Sequence, residues 1–293
     1  MLNEPSPDRR VHPLERQPAP PPSPDDENSQ RPRQQVTLHI PTVQPTVTYA
    51  LLVAIIGVFV LRALSPELDR QLFLWGANHQ PEVLNGGEFY RLLTAMFLHA
   101  SIYNPFTGDL VPANSLHLIF NAYILYYSGT YVERLFGHAR FAIIYILGGL
   151  TASIASVVLG GPNVYSVGAS GAVFAVLGAQ FIYLYKHRKL LGERGRSQMQ
   201  SLIWMGLVNL LFGALTSLGS GPVRVDNWAH IGGAVGGLAL AWLISPLFIV
   251  RRHPEIPTEL VAEDINPLKN RVRALSLYSA LLIATLIVAS RII

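Results

Sequence analysis

Beyond residue 46 the sequence is a succession of apolar runs separated by short polar segments. A helix that spans a bilayer needs roughly 20 predominantly apolar residues. Seven stretches reach or approach that length: Thr48–Leu64, Leu116–Leu135, Phe141–Leu159, Ser170–Tyr185, Leu202–Leu218, Trp228–Val250 and Leu275–Ile292. They are apolar all round rather than along one stripe, which predicts helices surrounded by lipid or by other helices. The pattern therefore predicts an all-α, polytopic membrane protein. A large soluble helical protein is the weaker reading, because one core does not bury so many all-apolar faces. The segment from Ser65 to Ser115 is long for a loop and half apolar. Within it, Leu92–Leu98 is predicted as a short helix lying in the membrane interface, with Tyr90 and Arg91 as anchors. Asn104–Asp109 reads as a turn.

Composition sharpens this picture. Charged residues are 14% of the chain, against about 25% in soluble proteins, and the deficit falls after residue 46. Residues 1–46 are different: polar, rich in proline, with acids as frequent as bases. Such a segment buries too little apolar surface to fold and is predicted to be a disordered tail. It lacks the apolar run of a signal peptide and the arginine bias of a transit peptide. Pro-rich text of this kind also suits an SH3-like partner; a plain tail is the preferred reading. There is no cysteine, so disulfide and thiolate chemistry are excluded. The net charge of +4 is modest and carries no nucleic-acid signal.

The placement of that charge predicts a topology. Arg134, His138 and Arg140 follow the second span, and Lys186, Arg188, Lys189, Arg194 and Arg196 follow the fourth. Arg251, Arg252, Lys269, Arg271 and Arg273 follow the sixth, whereas the intervening loops hold almost no Lys or Arg. Short cytoplasmic loops are the basic ones. The N-terminus is thus expected in the cytoplasm and the C-terminus outside. Spans two, four and six then all begin on the outer side, and they begin with His117, Ser170 and His230.

Ionisable and polar groups inside a membrane are functional candidates. Each of these residues alone has a structural reading; their shared depth makes the case. A serine hydroxyl is a weak nucleophile until a base takes its proton, and His230 is the natural base for Ser170. Contact between them requires spans four and six to approach closely. Gly233 and Gly237 lie on the face of His230, widened by Gly232 and Gly236, while span four offers Gly171, Ala175 and Gly178. An acyl-transfer site also needs donors for an oxyanion. The backbone N–H of Ser170, at a helix start, is one candidate. Asn121, one turn after His117 on the same face, supplies another with the His117 ring. No acid is well placed as a third member; Asp226 reads as a solvated loop acid. The expectation is a Ser170–His230 dyad. No His-Glu-x-x-His motif is present, so a zinc protease is disfavoured. Ala172 stands where a nucleophile elbow needs glycine. A metal held by the two histidines is a poor fit, with Asn121 and Ser170 as its only companions. A transporter would place its ionisable groups around the midplane rather than near one face.

These motifs together resemble the rhomboid family of intramembrane serine proteases, over roughly Val47 to Leu247. Gly168-Ala169-Ser170-Gly171 is similar to the family's GxSG, and His117 with Asn121 to its HxxxN. Ala229-His230-Ile231-Gly232-Gly233 with Gly237 is similar to AHxxGxxxG, and Gly129, Glu133 and Gly137 to GxxxExxxG. The resemblance implies a six-helix rhomboid core, residues 47–250, that cleaves transmembrane segments of other proteins within the bilayer. A basic cytoplasmic linker, 251–271, and a seventh transmembrane helix, 272–293, follow it. Ser170 and His230 carry over as catalytic. His117, Asn121 and Ser170 carry over as oxyanion-binding. Gly168 and Phe174 carry over as site-supporting. Arg91 and Glu133 carry over as structural residues that hold the first loop, and Gly233 and Gly237 as structural. No metal or organic cofactor is implied. A bacterial cytoplasmic membrane is the expected location. The alternative within the family is a catalytically silent relative that binds transmembrane clients. Three departures stand out. Phe174 replaces a common tyrosine, Tyr90 replaces a tryptophan, and Ser101–Asn114 looks like an insertion, which reads equally as tuning substrate access or as a tolerated surface insertion.

Overall fold

The computed structural model describes residues 37–39, 41–218, 225–252 and 259–293. Residues 1–36, which form most of the expected disordered tail, lie outside them.

The described chain is mostly helical. After strand β1 (Thr37–His39), helix α1 covers Thr46–Arg62. The first loop then contributes helix α2 (Pro66–Gly76), the two-residue strand β2 (Asn78–His79) and the single turn α3 (Arg91–Thr94). Helices α4 (Ser115–Ile124) and α5 (Thr130–Phe136) are joined by a π-helical segment, Leu125–Gly129. Gly137, at φ +81, turns the chain into α6 (His138–Leu159). Strand β3 (Tyr165–Ser166) precedes α7 (Ser170–Lys186). Helix α8 (Arg188–Leu218) is interrupted at Gly192, α9 covers Asn227–Ile244, and α10 covers Val272–Ile292. Among the described residues four helical segments are long and apolar enough to cross a membrane: His138–Leu159, Arg188–Thr216, Asn227–Ile244 and Leu268–Ile292. Thr46–Arg62 is a shorter apolar helix.

The centre of the bundle is α6, α7 and α9, and small residues set its spacing. A Cβ added at Gly233 or Gly237 would overlap the backbone of α7 at Gly171 or Ala175. Gly232 and Gly236 face the other neighbour: a Cβ at either would crowd Ala155 or Thr151 of α6. One helix thus carries two adjacent glycine faces, each seating a different partner.

Helix α1 is fastened at both ends. Pro45 gives its first turn no side-chain cap. The buried Glu133 of α5 supplies one instead, accepting from Val47 N at 2.8 Å, Thr48 N at 2.7 Å and Thr48 Oγ1 at 2.6 Å. His138 Nδ1 meets the same carboxylate at 2.6 Å. This satisfies helix-end donors that otherwise have no partner. The expectation that Glu133 holds the first loop is corrected: it lies at the far end of the second span and holds the start of the first helix. At the other end of α1, buried Arg62 pairs with buried Asp69 of α2 at 2.7 Å and donates to His99 O at 2.6 Å. Glu133→Ala is expected to cost about 3 kcal/mol or more by leaving several buried donors unmet. Glu133→Gln, which keeps an acceptor, is expected to cost less. Melting temperature in detergent measures both.

Three further expectations are revised. Arg91 is not an interfacial anchor. It is buried and donates to Leu74 O at 2.6 Å, Ala77 O at 3.1 Å and Glu88 Oε2 at 2.6 Å. Leu92–Leu98 accordingly folds inward, with Leu92, Ala95, Met96 and Leu98 buried, and only Arg91–Thr94 is α-helical. The sixth helix ends at Ile244 rather than Val250, because Pro246 has no N–H to continue it and drives Ser245 into the extended region, at ψ 135. Phe248–Arg252 is instead strand β4, antiparallel to β5 (Glu259–Asp264), which pairs in parallel with β1. Parts of the expected tail and basic linker thus join in one small sheet. Arg140 of α6 secures it, donating to Asp264 Oδ2 at 2.6 Å and Asn266 O at 2.7 Å. Burial opposes ionisation of Asp264. The N–H groups of Asn266 and Leu247 and the Arg140 guanidinium outweigh it and hold this carboxyl below the ordinary range.

Candidate active site

The site forms where α4, α7 and α9 begin at one end of the bundle. Ser170 opens α7. Two residues before it, Gly168 has φ +131, a conformation that side chains rarely adopt. A Cβ added there would stand 2.8 Å from His117 Cε1, 3.1 Å from His117 Nε2 and 3.7 Å from Ser170 Oγ. The His117 ring and the serine hydroxyl therefore meet over a single glycine. Asn121 is buried and donates to His117 O at 2.8 Å, which uses one of its two amide hydrogens.

His230 lies in the first turn of α9 and is 5% exposed. Its ring stacks on Phe174 at 4.3 Å and 14°. Phe174 is one turn after Ser170 on α7, so the imidazole lies along the face that the serine opens. Gly233 and Gly237 make this possible by letting α9 settle on the α7 backbone. Among the described residues no hydrogen bond joins Ser170 to His230, and the buried His230 Nδ1 has no partner. Asp226 is not a solvated loop acid. It caps α9, its Oδ1 accepting from Ala229 N at 3.0 Å and its backbone O from His230 N at 3.2 Å, but its carboxylate forms no hydrogen bond to the His230 ring. Beside Ser170 is a cavity of about 20 Å³, bordered by Met96, Ser153 and Ser166, which is room for roughly one water. Among the described residues no group of three His, Cys, Asp or Glu side chains is placed to hold a metal ion.

One residue of the site was missed in the sequence. His99 is fully buried, its ring is 5.4 Å from that of His117, and its Nε2 accepts from Ala169 N at 3.3 Å. Together with Gly168 N donating to Ala95 O at 2.9 Å, this fixes the backbone leading into Ser170. The signal was present: an ionisable residue closing the apolar run Leu92–Leu98. Burial, with His117 and Arg62 nearby, lowers the His99 pKa to about 3. The bound Nε2 is an acceptor, so this histidine has to stay neutral in the fold. A folded pKa of about 3 below an unfolded value of about 6.5 means that the unfolded chain binds the extra proton between the two. His99 thus contributes stability above about pH 6.5, lost progressively as pH falls toward about 3, by up to roughly 1.4 kcal/mol per pH unit. Melting temperature is expected to fall with acidification across this window. His99→Gln, which retains an acceptor, is expected to flatten that slope.

Comparison with known proteins identifies the family. The Rhomboid domain family model matches residues 86–247, more than half of the chain. The chain is 35% identical over 201 residues to rhomboid protease GluP of Bacillus subtilis, covering 68% of this chain and 34% of GluP. It is 31% identical over 169 residues to the mitochondrial RHOMBOID-like protein 6 of Arabidopsis thaliana, covering 58% of this chain and 48% of that protein. It is 30% identical over 226 residues to rhomboid protease AarA of Providencia stuartii, covering 69% and 73%. The chain thus spans a third to a half of the length of the first two and most of AarA. The matched residues contain Ser170, His230, His117 and Asn121 together with three of the four membrane-crossing helices. This chain is a multi-pass membrane protein and belongs to the rhomboid family.

Proposed function

We propose that this chain is an intramembrane serine endopeptidase that cleaves transmembrane segments of other membrane proteins with a Ser170–His230 dyad. The observation that carries the reading is the convergence of His117 and Ser170 on Gly168, with His230 laid on Phe174 one turn away. His230 takes the Ser170 proton as Oγ attacks the scissile carbonyl. The oxyanion is met by the Ser170 N–H, the His117 ring and the second amide hydrogen of Asn121. The tetrahedral intermediate collapses as His230 returns the proton to the leaving amine, and an acyl-enzyme remains. Water then attacks with His230 again as base, which releases the acid and restores the serine. A substrate helix has to unwind locally, because its amides are shielded by their own hydrogen bonds.

In this reading six helices form the core and α10 is the added seventh. The N-terminus is cytoplasmic, the site opens toward the outer face, and the membrane is the bacterial cytoplasmic one. Arg91 and Glu133 are structural. No cofactor is needed.

Purified protein in liposomes, incubated with a transmembrane reporter and separately with a fluorophosphonate probe, tests this. Cleavage of the reporter and labelling of Ser170 are expected. Failure of both would leave the silent, client-binding alternative in its place.

A further inference from the structure

The hairpin between α3 and α4 presents one side chain at its tip. Tyr103 and Leu110 bridge its two arms. Asn104 Oδ1 accepts from Phe106 N at 2.9 Å, and Gly108, at φ +80, turns the chain back. The Phe106 ring meets Phe73 of α2 edge-on at 5.7 Å and Tyr165 of β3 at 5.6 Å. Phe73 and Tyr165 meet each other at 5.6 Å, so the three rings close a triangle. Tyr165 also stacks on His79 at 3.8 Å and 5°, and β2 pairs with β3 through Asn78–Ser166 and His79–Tyr165. His79 is paired in turn with Glu82.

Tyr165 leads directly into Gly168 and Ser170. The segment it holds contains Gly160, Gly161 and Gly168, two of them at positive φ. Glycine-rich backbone loses much entropy on ordering, so this loop depends on contacts made by the few large side chains in it. Phe106 is 58% exposed. Its truncation therefore removes the ring contacts while leaving the helix core intact.

We propose that the Ser101–Asn114 hairpin clamps the serine loop, with Phe106 a positioning residue that holds Tyr165 and, through it, Gly168–Ser170 against His117. The clamp follows from contacts alone; its catalytic consequence rests on the protease reading above. An insertion that merely decorates the surface would leave the loop unchanged when Phe106 is cut back.

Phe106→Ala and Phe106→Tyr in the full chain test the proposal through three readouts: amide hydrogen exchange, fluorophosphonate labelling, and kcat against KM for a transmembrane reporter. Aromatic pairs of this kind correspond to about a twofold to tenfold change each. Exchange across residues 160–168 is expected to quicken in Phe106→Ala by roughly fivefold to tenfold, with α6 and α9 unchanged. Labelling and kcat are expected to fall by a similar factor, KM is expected to stay near its original value, and Phe106→Tyr is expected to restore all three. Unchanged exchange in 160–168 would overturn the clamp. So would a loss of activity that Phe106→Tyr does not rescue. A rise in KM with kcat preserved would assign the hairpin to substrate access instead. If wild-type Ser170 is never labelled while exchange still quickens in Phe106→Ala, the clamp stands and the protease reading fails.

Discussion

Replacing Ser170 with alanine is expected to lower cleavage of a transmembrane reporter by about 10⁴-fold or more, to the assay floor. His230→Ala is expected to reach the same floor, and the double variant to fall no further, because the two groups act as one unit. Both variants should fold. Ser170 Oγ forms no hydrogen bond among the described residues, and His230 gives its ring only to a stack on Phe174. Equal melting temperatures with abolished cleavage would assign the loss to chemistry. Cleavage that survives Ser170→Ala would remove Ser170 as the nucleophile.

The second large effect is expected from one methyl group at Gly237. Its added carbon would overlap the Ala175 backbone, which cannot swing aside as a flexible side chain does. Helices α7 and α9 would have to separate, and such overpacking costs typically about 1–3 kcal/mol or more. The catalytic loss should be larger than the stability loss suggests, since a misplacement of about 1 Å between reacting groups can cost roughly 100-fold. Gly206 on α8 is the matched control: nothing lies within 4 Å of an added Cβ there. Gly206→Ala is expected to leave both melting temperature and cleavage near their original values. Equal tolerance of the two substitutions would refute close α7–α9 contact as the feature that places His230.

Much of this was legible in the sequence because it is local. Apolar runs announce helices, and a helical repeat puts Asn121 under His117 and Phe174 under Ser170. The small-residue faces of spans four and six could be read the same way. What sequence could not supply was the identity of distant partners. Arg62 ends an apolar run and looks like an interfacial charge, yet Asp69 and the His99 carbonyl draw it inside. Glu133 meets Val47 and Thr48 only because two helices separated by 85 residues lie side by side. Thr37–His39 sits in Val36–Ile40, a short alternation of apolar and polar residues that suits a strand, but nothing local names its partner, Glu259–Val261. The helix break before Pro246 is local too, since proline has no N–H to donate and disfavours helical backbone in the residue before it.

The two fastenings of α1 have a mechanical consequence. A rod held by a carboxylate at one end and an ion pair at the other resists both tilt and axial sliding, since either motion breaks buried charge-assisted contacts. By contrast, α8 is interrupted at Gly192 and turns Leu207, Val208, Leu211, Phe212 and Leu215 outward. Those side chains exchange one apolar neighbour for another when the helix swings, at little cost in lipid. The bundle is therefore stiff on one wall and compliant on the other, and elastic deformation gathers at the compliant wall.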